Sequence, residues 1–121
     1  MLHVYHCAKA GARPGNLKDL SASGKCWTNC INPNQKELNA LSNETKIPID
    51  ILQETLDPDE RPKVRELENY SMIIVRAPWR GHRFLHTTPL TLFISKHKNN
   101  VITVALKEMH SIERIEDLII N

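Results

Sequence analysis

The spacing of apolar residues along the chain alternates between a period of two and a period near 3.6, and the switches divide it into elements. Leu2 to Ala8 reads as a first strand, with Val4, Tyr5 and Cys7 as its apolar content. The next stretch, Gly11 to Gly24, is punctuated by Pro14, Gly15, Ser21 and Ser23 and reads as a loop. Lys25 to Ile31 carries Cys26, Trp27, Cys30 and Ile31 and reads as a second strand. Asn32-Pro33-Asn34-Gln35 then predicts a helix start, with Asn32 as cap, Pro33 at the first helical position and Gln35 closing a capping box. That helix runs to about Asn43 and buries Leu38 and Leu41. A second helix starts at Pro48, with Ile49, Leu52 and Leu56 on one face, and ends at Asp57-Pro58.

From Arg61 the period becomes two. Arg61, Lys63 and Arg65 alternate with Pro62, Val64 and Glu66, as on a half-exposed strand. Tyr70 to Ala77 and Pro89 to Ser95 are apolar on both faces, and Val101 to Leu106 follows them, with Lys98-Asn99-Asn100 as the connecting turn. Ser111 caps a final helix whose stripe is Ile112, Ile115, Leu118 and Ile119. No glycine or proline closes this helix before Asn121, so it reads as truncated from a longer polypeptide. The order ββααββββα predicts a single α/β domain over residues 1–121, a mixed sheet with helices packed on its faces. Strands apolar on both sides need cover on both sides. One helical pair covers only one face, so the last helix, further residues or another chain must supply the other layer.

Composition changes this picture little. Among 121 residues, 40% are hydrophobic and 25% charged, the usage of an ordinary folded domain. The net charge of +2 is too weak to imply nucleic acid or an anionic membrane by itself. Three cysteines are too few and odd in number for a disulfide scaffold, which suits a reducing, cytoplasmic setting. The N-terminus has no signal-peptide pattern. The longest central apolar run, Met72-Ile73-Ile74-Val75, is far short of the roughly 20 residues a spanning helix needs.

Candidate chemistry is sparse. Ser71 and Cys7 lie in predicted strands, no Gly-x-Ser-x-Gly element exists, and Gly11, Gly15, Gly24 and Gly81 form no phosphate-binding loop. An enzyme is therefore not expected. His3, His6, Cys7, Cys26 and Cys30 are soft ligands, but the spacing of Cys26 and Cys30 differs from a zinc knuckle, and buried cysteines are often small core residues. Asp57, Asp59 and Glu60 form the densest acidic group. They could make a weak, water-mediated magnesium contact shared across subunits. The plainer reading, which we favour, is a solvated turn neutralised by Arg61 and Lys63, since exposed carboxylates without an octahedral cage bind magnesium poorly. Arg76, Arg80, His82 and Arg83, interleaved with Trp79 and Phe84, suit a subunit contact, a solvated loop or an anionic partner such as nucleic acid.

From Lys25 onward an ordered series of motifs resembles the CorA-like divalent-cation transporters. Cys26-Trp27-Thr28-Asn29-Cys30-Ile31-Asn32-Pro33-Asn34 is similar to the family's tryptophan-plus-cap segment. Ile47-Pro48-Ile49-Asp50-Ile51-Leu52 and Leu56-Asp57-Pro58-Asp59-Glu60-Arg61-Pro62-Lys63-Val64 resemble its helix, acidic turn and following strand. Asn69-Tyr70, Met72 to Val75, Pro89 to Ile94 and Val101 to Val104 follow in order. The resemblance implies a cytoplasmic regulatory and assembly domain, joined through a C-terminal part to the membrane, in a homopentamer that transports Mg2+ and sometimes cobalt, nickel or zinc. It implies no nucleic acid; the alternative is a free-standing module for an anionic partner. The family's Gly-Met-Asn pore signature is absent: Met1, Met72 and Met109 do not follow a glycine. The family's regulatory carboxylate, expected in the loop after the Tyr70 strand, is also absent, because Pro78 to Phe84 reads Pro-Trp-Arg-Gly-His-Arg-Phe. Trp79, Arg80 and Arg83 are accordingly expected to make a subunit or anion contact rather than a metal site.

Overall fold

The computed structural model describes residues 1–8, 11–20, 25–80 and 85–120. Its elements are β1 (Leu2–Ala8), β2 (Gly11–Gly15), a 3-10 turn (Leu17–Leu20), β3 (Lys25–Ile31), α1 (Gln35–Thr45), α2 (Ile49–Glu54), β4 (Lys63–Glu66), β5 (Tyr70–Arg80), β6 (Leu85–Ser95), β7 (Asn99–Ala105) and α3 (His110–Ile120). The strands form one mixed sheet in the order β2-β1-β3-β7-β6-β5-β4. Only β3 and β7 run parallel; the other neighbours are antiparallel. This is the expected mixed α/β sheet with one strand more.

The added strand lies in the stretch read as a loop. Gly11–Gly15 pairs with β1 in the register Val4 with Gly15 and Cys7 with Ala12. It has no apolar alternation to announce it, and Pro14 is tolerated because the strand is a sheet edge, where one side needs no amide donor.

The first helix also begins later than expected. Asn34, not Asn32, is the cap: its side chain accepts from the Glu37 amide at 2.8 Å, and Glu37 Oε1 accepts from the Asn34 amide at 3.0 Å. Asn32 instead takes a positive φ of 43° and turns the chain out of β3, with its amide bonded to the Ala105 carbonyl. The box partner is Glu37 rather than Gln35, and Pro33 lies before the helix. Lys46, with φ 64°, ends α1 in a left-handed cap. Asn99 and Asn100, read as turn residues, belong to β7, and Ser111 lies inside α3 rather than capping it. The Met109 carbonyl receives the first amides of α3.

The alternation of side chains assigns the two faces of the sheet. On one face Cys26, Cys30, Met72, Ile74, Phe93, Ile102 and Val104 pack against Leu38 and Leu41 of α1 and Ile51 and Leu52 of α2, forming the main core. On the other, Met109 just before α3 and Ile112 in its first turn lie on Ala105, Trp27, Ala77 and Leu90. Burying two such side chains contributes about 1.5–3 kcal/mol each. The second layer is only partial: Val64, Val75 and Ile94 on that face remain 70%, 38% and 39% exposed. The cover expected on both faces is thus complete on one and begun on the other.

Candidate functional site

The acidic turn after α2 is shaped by local bonds. Asp57 Oδ1 accepts from the Asp59 amide at 2.9 Å, and Glu60 Oε1 pairs with Lys63 at 2.9 Å. Arg76 reaches over from β5 and clamps the same turn. Its Nη1 donates to the Pro58 carbonyl at 2.8 Å and the Glu60 carbonyl at 3.1 Å, while Nη2 and Nε donate to the Thr87 carbonyl and hydroxyl. The turn therefore presents backbone to a cation already in place, with one carboxylate facing its own backbone and another facing a lysine. Among the described residues no three His, Cys, Asp or Glu side chains come together as a metal site. Asp57, Asp59 and Glu60 are neighbours without a cage, and Arg76 belongs to this turn rather than to the cationic group of the β5–β6 loop.

The soft ligands are also separated. In the β1–β3 register, His6 lies opposite Cys26 and Leu2 opposite Cys30 on one face, while His3 and Cys7 stand on the other. All three cysteines are free thiols, and burial pushes Cys30 up to about 12, which makes it an inert core residue.

At the other end of β5, Trp79 stands directly opposite His86 on β6, their rings 6.0 Å apart. Lys107, in the bend between β7 and α3, places its Nζ 3.7 Å from the centre of the Trp79 ring. A cleft of about 470 Å³ separates Pro78 and Trp79 from the first turn of α3, lined there by Met109, His110 and Glu113. Arg80 closes β5 by pairing with Leu85 in the backbone register. Arg83 lies outside the described residues, as do His82 and Phe84. The expected contact group is thus represented by Trp79, on the same face as α3.

Two features escaped the sequence reading. Tyr5 donates its hydroxyl hydrogen to the Glu116 carboxylate on α3, and burial followed by this bond raises the phenol well above its ordinary range. Beside it the Trp27 ring packs against Tyr5 in a tilted arrangement, centroids 5.3 Å apart, and donates its indole N–H to Thr103, whose hydroxyl in turn donates to Asn29 Oδ1. Tyr5 and Trp27 are partners across β1 and β3, a register that no local pattern displays.

The comparisons with known proteins agree with this architecture. The family model described as "CorA-like Mg2+ transporter protein" matches residues 22–119. The cobalt/magnesium transport protein CorA of Methanocaldococcus jannaschii is 35% identical over 94 residues, which are 77% of this chain and 28% of that protein. The complete structure of the CorA magnesium transporter from M. jannaschii superposes with a TM-score of 0.83 at 26% identity, covering 98% of this chain and 36% of that one. The soluble domain of the same transporter matches with the same score and 46% of its chain covered. The cytoplasmic domain of ZntB from Vibrio parahaemolyticus, at 14% identity and a TM-score of 0.70, shares the fold. The chain thus spans about a quarter to a half of the relatives it matches, and no helix among the described residues is long and apolar enough to cross a membrane. With the motif order, the mixed sheet and the family model in agreement, the chain belongs to the CorA-like Mg2+ transporter family.

Proposed function

We propose that this chain is the cytoplasmic regulatory and assembly domain of a divalent-cation transporter, with Mg2+ as the transported substrate. The observation that carries the proposal is the superposition of 98% of the chain on the soluble domain of the M. jannaschii transporter, supported by the family match over residues 22–119. In this reading the domain is part of a longer membrane polypeptide and assembles as a homopentamer. The conduction pathway lies outside these residues, and the chain's own work is to fold, associate and transmit conformational change.

Within that role the β5–β6 end serves as a subunit contact, with Trp79, Arg80 and Arg83 as its contact residues. Trp and Arg suit buried interfaces better than solvated loops. Magnesium takes hard oxygen ligands in a near-octahedral set, and residues 78–84 carry no carboxylate. The residues here do not fit a regulatory magnesium bridge at this loop. Asp57, Asp59 and Glu60 retain at most an outer, water-mediated contact. Titration calorimetry of the 121-residue chain with MgCl2 tests this part: no saturable site in the low millimolar range is expected. A single tight site on the monomer would overturn it.

A further inference from the structure

We propose that the Trp79–Lys107 contact is a latch that couples the β5–β6 hairpin to α3. The inference concerns contacts within one chain and does not depend on the subunit-contact reading.

α3 is held lightly for an eleven-residue helix. Among the described side chains its buried anchors are Met109 just before the helix and Ile112 in its first turn, while Ile115 and Leu118 are 45% and 75% exposed. Beyond Ile112, the Tyr5–Glu116 hydrogen bond attaches it to β1. Before Met109, Lys107 rests on Trp79. A cation–π contact thus lies just before the helix and a hydroxyl–carboxylate contact past its middle.

Trp79 is where the hairpin meets this arrangement. Its ring lies between His86, on the paired strand, and the Lys107 ammonium, which belongs to the bend that sets where α3 begins. Ala77 and Leu90 of the hairpin pack under Met109 and Ile112, and past them a cleft separates Pro78 and Trp79 from the first turn of α3. At this end of the hairpin the side chain of Lys107 adds a contact to Trp79. Displacing the end of β5 moves the indole, and the lysine then either follows, shifting the start of α3, or lets go, loosening its first turn. A partner that stacks on Trp79 or offers an anion to Lys107 has the same effect. The latch so converts an event at the hairpin into a change in α3.

Hydrogen exchange followed by mass spectrometry on the 121-residue chain tests this, with three variants. Lys107→Met keeps the aliphatic stem and removes the charge, Lys107→Arg restores a cation, and Trp79→Leu removes the ring. The latch predicts a two- to fivefold rise in exchange for α3 amides in Lys107→Met and Trp79→Leu, with β3 and β7 unchanged. Lys107→Arg restores protection. The double variant Lys107→Met/Trp79→Leu exchanges no faster than Trp79→Leu alone, because the two side chains form one contact. The proposal is overturned if α3 protection is unchanged in Lys107→Met, if all strands lose protection equally, or if the two substitutions add.

Discussion

Replacing Arg76 with alanine tests how the acidic turn is held. The guanidinium joins three pieces of chain: β5 on which it stands, the 58–60 turn through two carbonyls, and Thr87 of β6 through its carbonyl and hydroxyl. Hydrogen bonds from a charged donor contribute about 1.5–3 kcal/mol when well shielded. Three of these four are exposed to solvent and one is partly buried, so water replaces much of what is lost. Taking roughly 0.5 kcal/mol for each bond gives a loss near 2 kcal/mol for Arg76→Ala. For a domain of this size that is a fall in Tm of about 6–10 °C. Arg76→Lys keeps the charge but cannot fork between two segments, and an intermediate loss is expected. The assay is urea unfolding with the m-value held as a check on the denatured state, paired with limited proteolysis. Cleavage should increase first around residues 57–62, before the rest of the chain becomes susceptible. A loss below about 0.5 kcal/mol at unchanged m would refute the reasoning, since the clamp would then be ornamental.

Further predictions follow from the core and the caps. Thr91 is fully buried, and its hydroxyl has no hydrogen-bond partner among the described residues, so Thr91→Val should stabilise by about 1 kcal/mol in the same urea assay. Cys26 and Cys30 are buried while Cys7 is half-exposed, so a maleimide should label Cys7 first and the other two only at the rate of unfolding. Equal labelling of all three in the native chain would contradict the packing described. The Glu37 carboxyl is held below its ordinary range by the Asn34 amide and then by the Met1 ammonium, 3.0 Å away. A lowered folded-state pKa stabilises above the unfolded value, near 4.3, and that stabilisation is lost as pH falls through the folded one. Glu37→Gln should therefore flatten the pH dependence of Tm below about pH 5, and an unchanged acid limb would count against the cap.

Much of the fold was legible because the strongest patterns are local. β3, α1 and the central strands were found to within a few residues, since their apolar periods have clear limits. β2 was hidden because Ala12-Arg13-Pro14 carries no alternation; it is a strand only by pairing with the free edge of β1. The shift of the cap from Asn32 to Asn34 is a contest between two asparagines, decided by the Ala105 carbonyl drawing Asn32 into a left-handed turn. The candidate site was read less well for the same reason in stronger form. Arg76 and Trp79 are close in sequence, yet even and odd spacing along β5 put Arg76 on the α2 face and Trp79 on the α3 face. Lys107 gave no signal at all, because its partner is 28 residues away and neither residue belongs to a recognisable motif. Family resemblance filled part of this gap, and only for what motif order can carry: the sheet and its helices.

In the proposed function this chain is one part of a longer polypeptide, so the most direct test lies in that polypeptide. Purified full-length protein bearing this domain should be reconstituted into liposomes loaded with a magnesium-sensitive dye. The account predicts Mg2+ entry dependent on external concentration and on an inward-negative potential, from particles whose mass corresponds to five copies. Well-folded pentameric protein that admits no Mg2+ under these conditions would contradict it.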